Sequence, residues 1–221
     1  SRARSNQTNL GQTEVKRSSV LSETTLNYAT VLGRHDLSAV AGVEFQNFYI
    51  NGIALDATNI PFGQPLNYAL LEPADIAVTE RAETIARRSA FGRINYAYDN
   101  RYLASVSVRR DGDSRFGANK RFETFPAVSL GWNVHNEAFF SGDFLTDLKL
   151  RFSTGSLGTT SLLGAYNSLS LLNPQASVFG TAFLIPSDVA NPDLTWQTNT
   201  ETNYGVNFGF LGNRFTVAVD Y

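Results

Sequence analysis

Apolar and polar side chains alternate with a period of two through much of this chain. From Asp36 to Gln46, Leu37, Ala39, Ala41, Val43 and Phe45 hold one parity. Asp36, Ser38, Val40, Gly42, Glu44 and Gln46 hold the other. In a β-strand successive side chains point to opposite faces, so such a run predicts one apolar and one mostly polar face. Tyr102, Ala104, Val106 and Val108 repeat the pattern against Leu103, Ser105, Ser107, Arg109 and Asp111. Leu148, Leu150 and Phe152 do so against Lys149, Arg151 and Ser153. Few segments sustain a helical period. The reading is eight strands, near residues 20–32, 36–48, 89–98, 102–111, 125–134, 148–155, 195–209 and 214–221.

The connections between these strands alternate in length. Gly33–His35, Asp99–Arg101 and Leu211–Asn213 are tight, whereas 47–88, 111–123, 135–147 and 156–193 are longer. An up-and-down membrane barrel has this asymmetry, with short periplasmic turns and longer outer loops. Tyr28, Tyr96, Tyr98, Tyr102, Phe208 and Phe215 lie within a few residues of the tight turns, where an interfacial aromatic girdle belongs. A soluble β-sandwich also alternates apolar and polar positions, but the loop asymmetry and the girdle favour the membrane barrel. The polar parity would then face the barrel interior, and it carries Arg93, Arg109, Asp111, Lys149, Arg151, Glu201 and Asp220.

Composition adjusts this picture modestly. Charged residues make up 17%, below the roughly 25% usual for soluble domains. The net charge of -2 leaves no global basic footprint for nucleic acid. Cysteine is absent, which excludes disulfides, thiol nucleophiles and Cys-ligated metals. No apolar run reaches the length of a membrane helix. The polar start SRARSNQTNLGQ does not resemble a signal peptide; the chain reads as a fragment, so this says nothing against export.

Candidate chemistry is sparse. Asp111-Gly112-Asp113 within 111–117 has two carboxylates and a glycine, as a calcium loop would, but the later ligands are missing. A polar turn built on Asp and Gly is the preferred reading. His35 and His135 are isolated and expected at the surface beside turns. GxSxG, HExxH and a P-loop lysine are all missing, so no enzyme, metal site or cofactor is expected. Trp196 shares the parity of Tyr204 and Phe208 and is expected as an interfacial anchor. Aromatics assigned to loops could stack on a ligand: Tyr49, Phe116 and Tyr166 foremost, with Phe62, Tyr68, Phe179 and Phe183.

Residues 89–134 carry a family resemblance. Phe91-Gly92-Arg93-Ile94-Asn95-Tyr96 is followed by Arg101-Tyr102-Leu103, by the Arg-x-Asp-Gly-x-Ser-Arg-Phe-Gly element of Arg109–Gly117, and by Phe125-Pro126-Ala127-Val128-Ser129-Leu130-Gly131-Trp132. Asp147–Arg151, Thr154–Gly158, Asn191–Gln197 and Thr202–Gly205 continue it in order. Together they resemble the SusC/RagA family of TonB-dependent outer-membrane transporters. The resemblance implies an antiparallel barrel of about 22 strands with a plugged lumen, of which this chain would be an open fragment of about eight strands with two unpaired edges. The plug domain is expected to be absent from 1–221.

By that resemblance the protein would import a large nutrient, an oligosaccharide or peptide, across the bacterial outer membrane. Its partners would be the TonB complex, a SusD-like lipoprotein and outer-membrane lipid. Arg93, Arg109, Lys149, Arg151 and Glu201 are the candidates for contact with the plug, and buried charge there should pair, with one another or with the plug. The alternatives are a passive porin or channel, which would work without TonB, and a surface β-domain adhesin, which would fold in water without detergent.

Overall fold

The computed structural model describes residues 8–60, 68, 71–142, 144–160, 163–175 and 183–221. Ten strands occur among them: β1 (Thr8–Leu32), β2 (His35–Ile60), β3 (Ile76–Tyr98), β4 (Tyr102–Asp113), β5 (Phe122–Asn133), β6 (Leu145–Thr159), β7 (Leu172–Gln175), β8 (Phe183–Pro186), β9 (Gln197–Phe210) and β10 (Phe215–Asp220). Eight form one sheet in the order β1-β2-β3-β4-β5-β6-β9-β10, and β7 and β8 form a separate hairpin. From β3 to β10 every neighbour is antiparallel. The all-β, up-and-down fold expected from the alternation is therefore present, with β1 and β10 at the two edges of the sheet.

Two compact units share these strands: residues 1–20 with 46–86, and residues 21–45 with 87–221. In the first, the strands outrun the sequence reading. β1 begins at Thr8 rather than near residue 20, and most of the expected 47–88 connection is strand, leaving 61–75 between β2 and β3. Thr79-Glu80-Arg81-Ala82-Glu83-Thr84 shows the reason: polar residues occupy both parities. A ladder can hold such a strand through its backbone, but no apolar face announces it. The short β7–β8 pair inside the expected 156–193 loop was hidden for another reason: four-residue segments such as Phe183-Leu184-Ile185-Pro186 are too short and show no alternation.

In the second unit, backbone geometry fixes the tight turns. In the three-residue β3–β4 connection Asp99 and Asn100 have φ of 50° and 51°, the pair of left-handed residues of a turn with the sheet's own twist, and Arg101 N–H closes it on the Tyr98 carbonyl at 2.8 Å. Asp99 N–H also donates to the Arg34 carbonyl at 2.7 Å, tying two neighbouring turns. Leu211, Gly212 and Asn213 have φ of 52°, 70° and 61° in the β9–β10 turn.

Register turns parity into faces. On one face Tyr98, Tyr102, Trp132, Leu150, Val206 and Val219 align across six strands. The next row is Tyr96, Ala104, Leu130, Phe152 and Tyr204, followed by Ile94, Val106 and Val128, with Thr154 and Thr202 closing it. Ile94, Val106, Val108, Leu130 and Tyr204 are all exposed. A wide apolar surface of this kind needs a nonaqueous neighbour. The aromatic girdle is visible as rings: Tyr98 stacks on Tyr102 and Tyr102 on Trp132, at 6.5 and 6.4 Å.

Candidate functional site

The opposite face of the same strands is polar, and register places all five predicted charged residues on it. Arg93, Ser107, Ala127, Gly155 and Glu201 form one row across β3, β4, β5, β6 and β9. Asn95, Ser105, Ser129, Ser153 and Asn203 form the next, a band of hydroxyls and amides. Then come Ala97, Leu103, Gly131, Arg151, Gly205 and Asp220, and beyond them Asn133, Lys149 and Asn207. The middle of this face is thus a shallow trough with small side chains on its floor and charge at its margins.

The five charged residues do not pair with one another. Arg93 and Glu201 share a row but stand four strands apart, about 19 Å at 4.8 Å per strand. Arg109 is held by Asp111 at 2.6 Å, Glu44 at 3.3 Å and the Ser89 hydroxyl at 2.9 Å, over the Phe91 ring. Arg151 donates to Asn207 at 2.9 Å and Asp220 at 2.7 Å. To reach β10 from β6 it must cross β9, and Gly205 supplies the gap: a Cβ there would stand 2.8 Å from the Arg151 Cζ. Arg93, Lys149 and Glu201 have no ion-pair partner among the described residues; the Glu201 carboxylate accepts from Asn203 at 3.1 Å.

At the long-connection end lies a cluster that the sequence reading missed. Asp113 and Phe116 are fully buried. The Arg115 guanidinium donates to both Asp113 oxygens at 2.9 and 2.6 Å, its backbone N–H adds a third bond at 3.0 Å, and Arg87 adds a fourth at 3.1 Å. Arg115 also donates to the carbonyls of Thr160 and Leu163, at 3.1 and 3.3 Å. Burial pushes the Asp113 carboxyl up, but the Arg115 bonds and the two guanidinium charges outweigh it and hold the group below its ordinary range. Asp111 is likewise bonded to Arg109. Both carboxylates of the would-be calcium loop therefore face guanidinium groups. The arginines in Arg109–Gly117 were the available signal, but their partners near 87 and 160 are remote in sequence.

The ring of Phe116 lies 4.5 Å from that of Trp196, which meets Phe125 edge-on at 5.6 Å and donates its indole N–H to the Arg121 carbonyl. This corrects two expectations. Trp196 precedes β9 and packs between Phe116 and the β5 residue Phe125 rather than anchoring at an interface, and buried Phe116 has no ring face open to a ligand. Gly117 donates to the Leu194 carbonyl at 3.1 Å, in direct contact with Pro192. The Arg109–Gly117 and Asn191–Gln197 motifs thus pack on each other. Tyr49 belongs to β2 rather than to a loop, and Tyr166 is half-buried in the turn around Ala165 and Ser168. Phe183 is exposed on β8, and Tyr68 accepts from Leu71 N–H through its carbonyl. Phe62 and Phe179 lie outside the described residues.

The tight-turn end has its own polar clasp. Arg101 pairs with Asp99 at 3.3 Å and Glu137 at 3.4 Å, and Trp132 donates to Glu137 at 3.0 Å. Bonds from Tyr102 and then Trp132, with the Arg101 charge, keep Glu137 below the usual carboxylate range against slight desolvation. His135 lies 3.1 Å from Asp147, and His35 bonds the Tyr96 hydroxyl at 2.8 Å. Each histidine therefore has a structural partner, and among the described residues no metal-competent cluster forms.

Comparison with known proteins agrees with this two-faced sheet. The family model "TonB dependent receptor-like, beta-barrel" matches residues 2–221. The TonB-dependent receptor SusC of Bacteroides thetaiotaomicron is 34% identical over 205 residues, covering 88% of this chain and 20% of SusC. TonB-dependent receptor P39 of Formosa agariphila is 33% identical, covering 90% of this chain and 19% of that protein. The RagAB peptide transporter structure superposes with a TM-score of 0.85 at 26% identity, over 96% of this chain and 24% of its own. The chain spans about a fifth of the length of the curated relatives it matches. The apolar rows therefore face the lipid of the bacterial outer membrane, and the chain belongs to the TonB-dependent receptor β-barrel family, within its SusC/RagA group of transport proteins.

Proposed function

We propose that the whole protein imports a large nutrient, an oligosaccharide or peptide, across the outer membrane in a TonB-driven cycle with a SusD-like lipoprotein outside. One observation carries this reading: a single polar face bears all the charged residues singled out in the sequence, backed by a lipid-compatible face. Such a wall suits a barrel whose interior holds a polar plug. In this reading Arg109 and Arg151 stiffen the wall, since their partners lie in the sheet itself. Arg93, Lys149 and Glu201 are the groups that meet the plug. Of the three foremost aromatics, Tyr166 is the one that remains a loop candidate for cargo, since Tyr49 is on a strand and Phe116 is buried. The names of two relatives bear on the substrate: one is SusC, the other a peptide transporter.

The test is growth of a strain lacking the full-length gene on a panel of glycans and peptides, with and without TonB. Loss of growth on one substrate in the deletion strain, mirrored by loss of TonB in a strain that keeps the gene, supports energised import and names the cargo. Growth indifferent to TonB would reject the mechanism in favour of a passive channel.

A further inference from the structure

A hollow lies on the lipid-facing surface, just inside the aromatic row. The row Tyr96, Ala104, Leu130, Phe152 and Tyr204 carries large side chains on β3, β5, β6 and β9 but a single methyl on β4. Ala104 is therefore the floor of a depression of about 440 Å3, walled by Tyr96, Tyr102, Leu130, Trp132, Leu150 and Phe152. That volume lies within the roughly 300–1,000 Å3 of small-ligand sites. Arg151 borders the hollow through its backbone strand, but its guanidinium is on the polar face, with Asn207 and Asp220.

The walls are held in place. Tyr102 stacks on Tyr98 and on Trp132 at 6.5 and 6.4 Å. Glu137 accepts from the Trp132 indole at 3.0 Å and from the Tyr102 hydroxyl. A preformed cavity lowers the ordering cost of binding. Beyond the ring row, toward the tight turns, comes a chain of alternating charge. Arg34 lies 3.7 Å from Asp99, Asp99 3.3 Å from Arg101, and Arg101 3.4 Å from Glu137. Two guanidinium groups and two carboxylates leave no net charge, and the Arg34 side chain is 68% exposed. Ala104 is three residues from Arg101, about 10 Å along the strand, comparable with the roughly 5–8 Å interfacial layer of one leaflet.

We propose that the Ala104 hollow seats an acyl chain of a periplasmic-leaflet phospholipid, and that the lipid's zwitterionic headgroup, a phosphate bearing a primary ammonium, lies on the Arg34–Asp99–Arg101–Glu137 chain. Lipid is the occupant because the hollow is continuous with the membrane-facing rows of Ile94, Val106 and Val128. The phosphate accepts from the guanidinium groups, and the ammonium donates to a carboxylate edge. A purely anionic headgroup would meet those carboxylates as like charge. The inference needs only the membrane placement of the barrel and is independent of cargo and of TonB coupling.

The experiment is native mass spectrometry of the full-length protein released from detergent micelles. The probes are phosphatidylethanolamine, phosphatidylglycerol and diacylglycerol with the same chains. The wild type should retain phosphatidylethanolamine several-fold better than phosphatidylglycerol, and should not retain diacylglycerol. A104F, which fills the hollow from the lipid side of β4, should retain phosphatidylethanolamine about tenfold less well. R34Q, in an exposed turn, should lose several-fold, and it tests the site even if A104F folds poorly. V217F, which adds bulk on the same face four strands away, should match wild type. Undiminished retention in R34Q or in a folded A104F, or an equal loss in V217F, would overturn the site. Phosphatidylglycerol or diacylglycerol held as well as phosphatidylethanolamine would reject the headgroup assignment and the proposal with it.

Discussion

Asp113 concentrates the consequences of a single residue. Its carboxylate accepts four bonds from two arginines, and one of these, Arg115, is itself buried and holds two carbonyls of the segment after β6. Removing one partner of a buried pair leaves the other charge uncompensated, at a cost of about 3–5 kcal/mol. D113N should therefore lower the unfolding midpoint of the full-length barrel and open residues 111–121 to protease. Unchanged protease sensitivity there would count against the hub. The pH dependence follows from the direction of the shift. The folded carboxyl titrates below its ordinary 3.8, so its contribution is complete above that value and is lost only as pH falls through the lower folded one. Protection of residues 111–121 from hydrogen exchange should thus be the same at pH 7 and pH 5 and fail only in stronger acid. Gly205 is the second such residue. G205A places a methyl where Arg151 crosses to Asp220, so it should break that ion pair, seen as faster exchange along β10. G205S should behave no better, because the obstacle is space rather than polarity.

At the scale of the element, a strand's two faces make opposite demands. Val106 lies in the third lipid-facing row and Ser107 beside it on the polar face. V106K puts a charge into lipid and should destabilise by about 2–4 kcal/mol, whereas S107K, one residue away, should be nearly neutral. Urea unfolding in detergent and vesicles compares them, and equal costs would disprove the assignment of faces. Legibility in the sequence follows the same physics. The alternation of Tyr102–Val108 or Leu148–Phe152 is readable because one side must be apolar. The polar stretches Thr8–Ser19 and Ile76–Arg88 are strands only through their neighbours, and so read as tail and loop. The five charged candidates came from parity and share one face. Phe116 and Trp196 were misjudged because packing between segments about 80 residues apart leaves no local pattern.

At the scale of the whole molecule, the polar face divides its charges into two kinds, and the division makes a prediction about the intact barrel. Arg109 and Arg151 are satisfied within the sheet, each by a carboxylate two strands away. Arg93, Lys149 and Glu201 stand around a trough of serines, small residues and amides without ion-pair partners among the described residues. If a plug fills the barrel, the second kind meets it and the first kind does not. R93E and K149E in the full-length protein should then loosen plug seating and raise sensitivity to an antibiotic too large for ordinary porins, with cargo uptake falling in parallel. R109Q should instead reduce barrel stability with little leakage, because its ion pairs lie in the wall. Charge reversal tests this more sharply than neutralisation, since it turns an attraction across a low-dielectric interface into a repulsion. Unchanged sensitivity in both reversals would mean that these charges face water, and the case for a plug-filled interior would then rest on family membership alone.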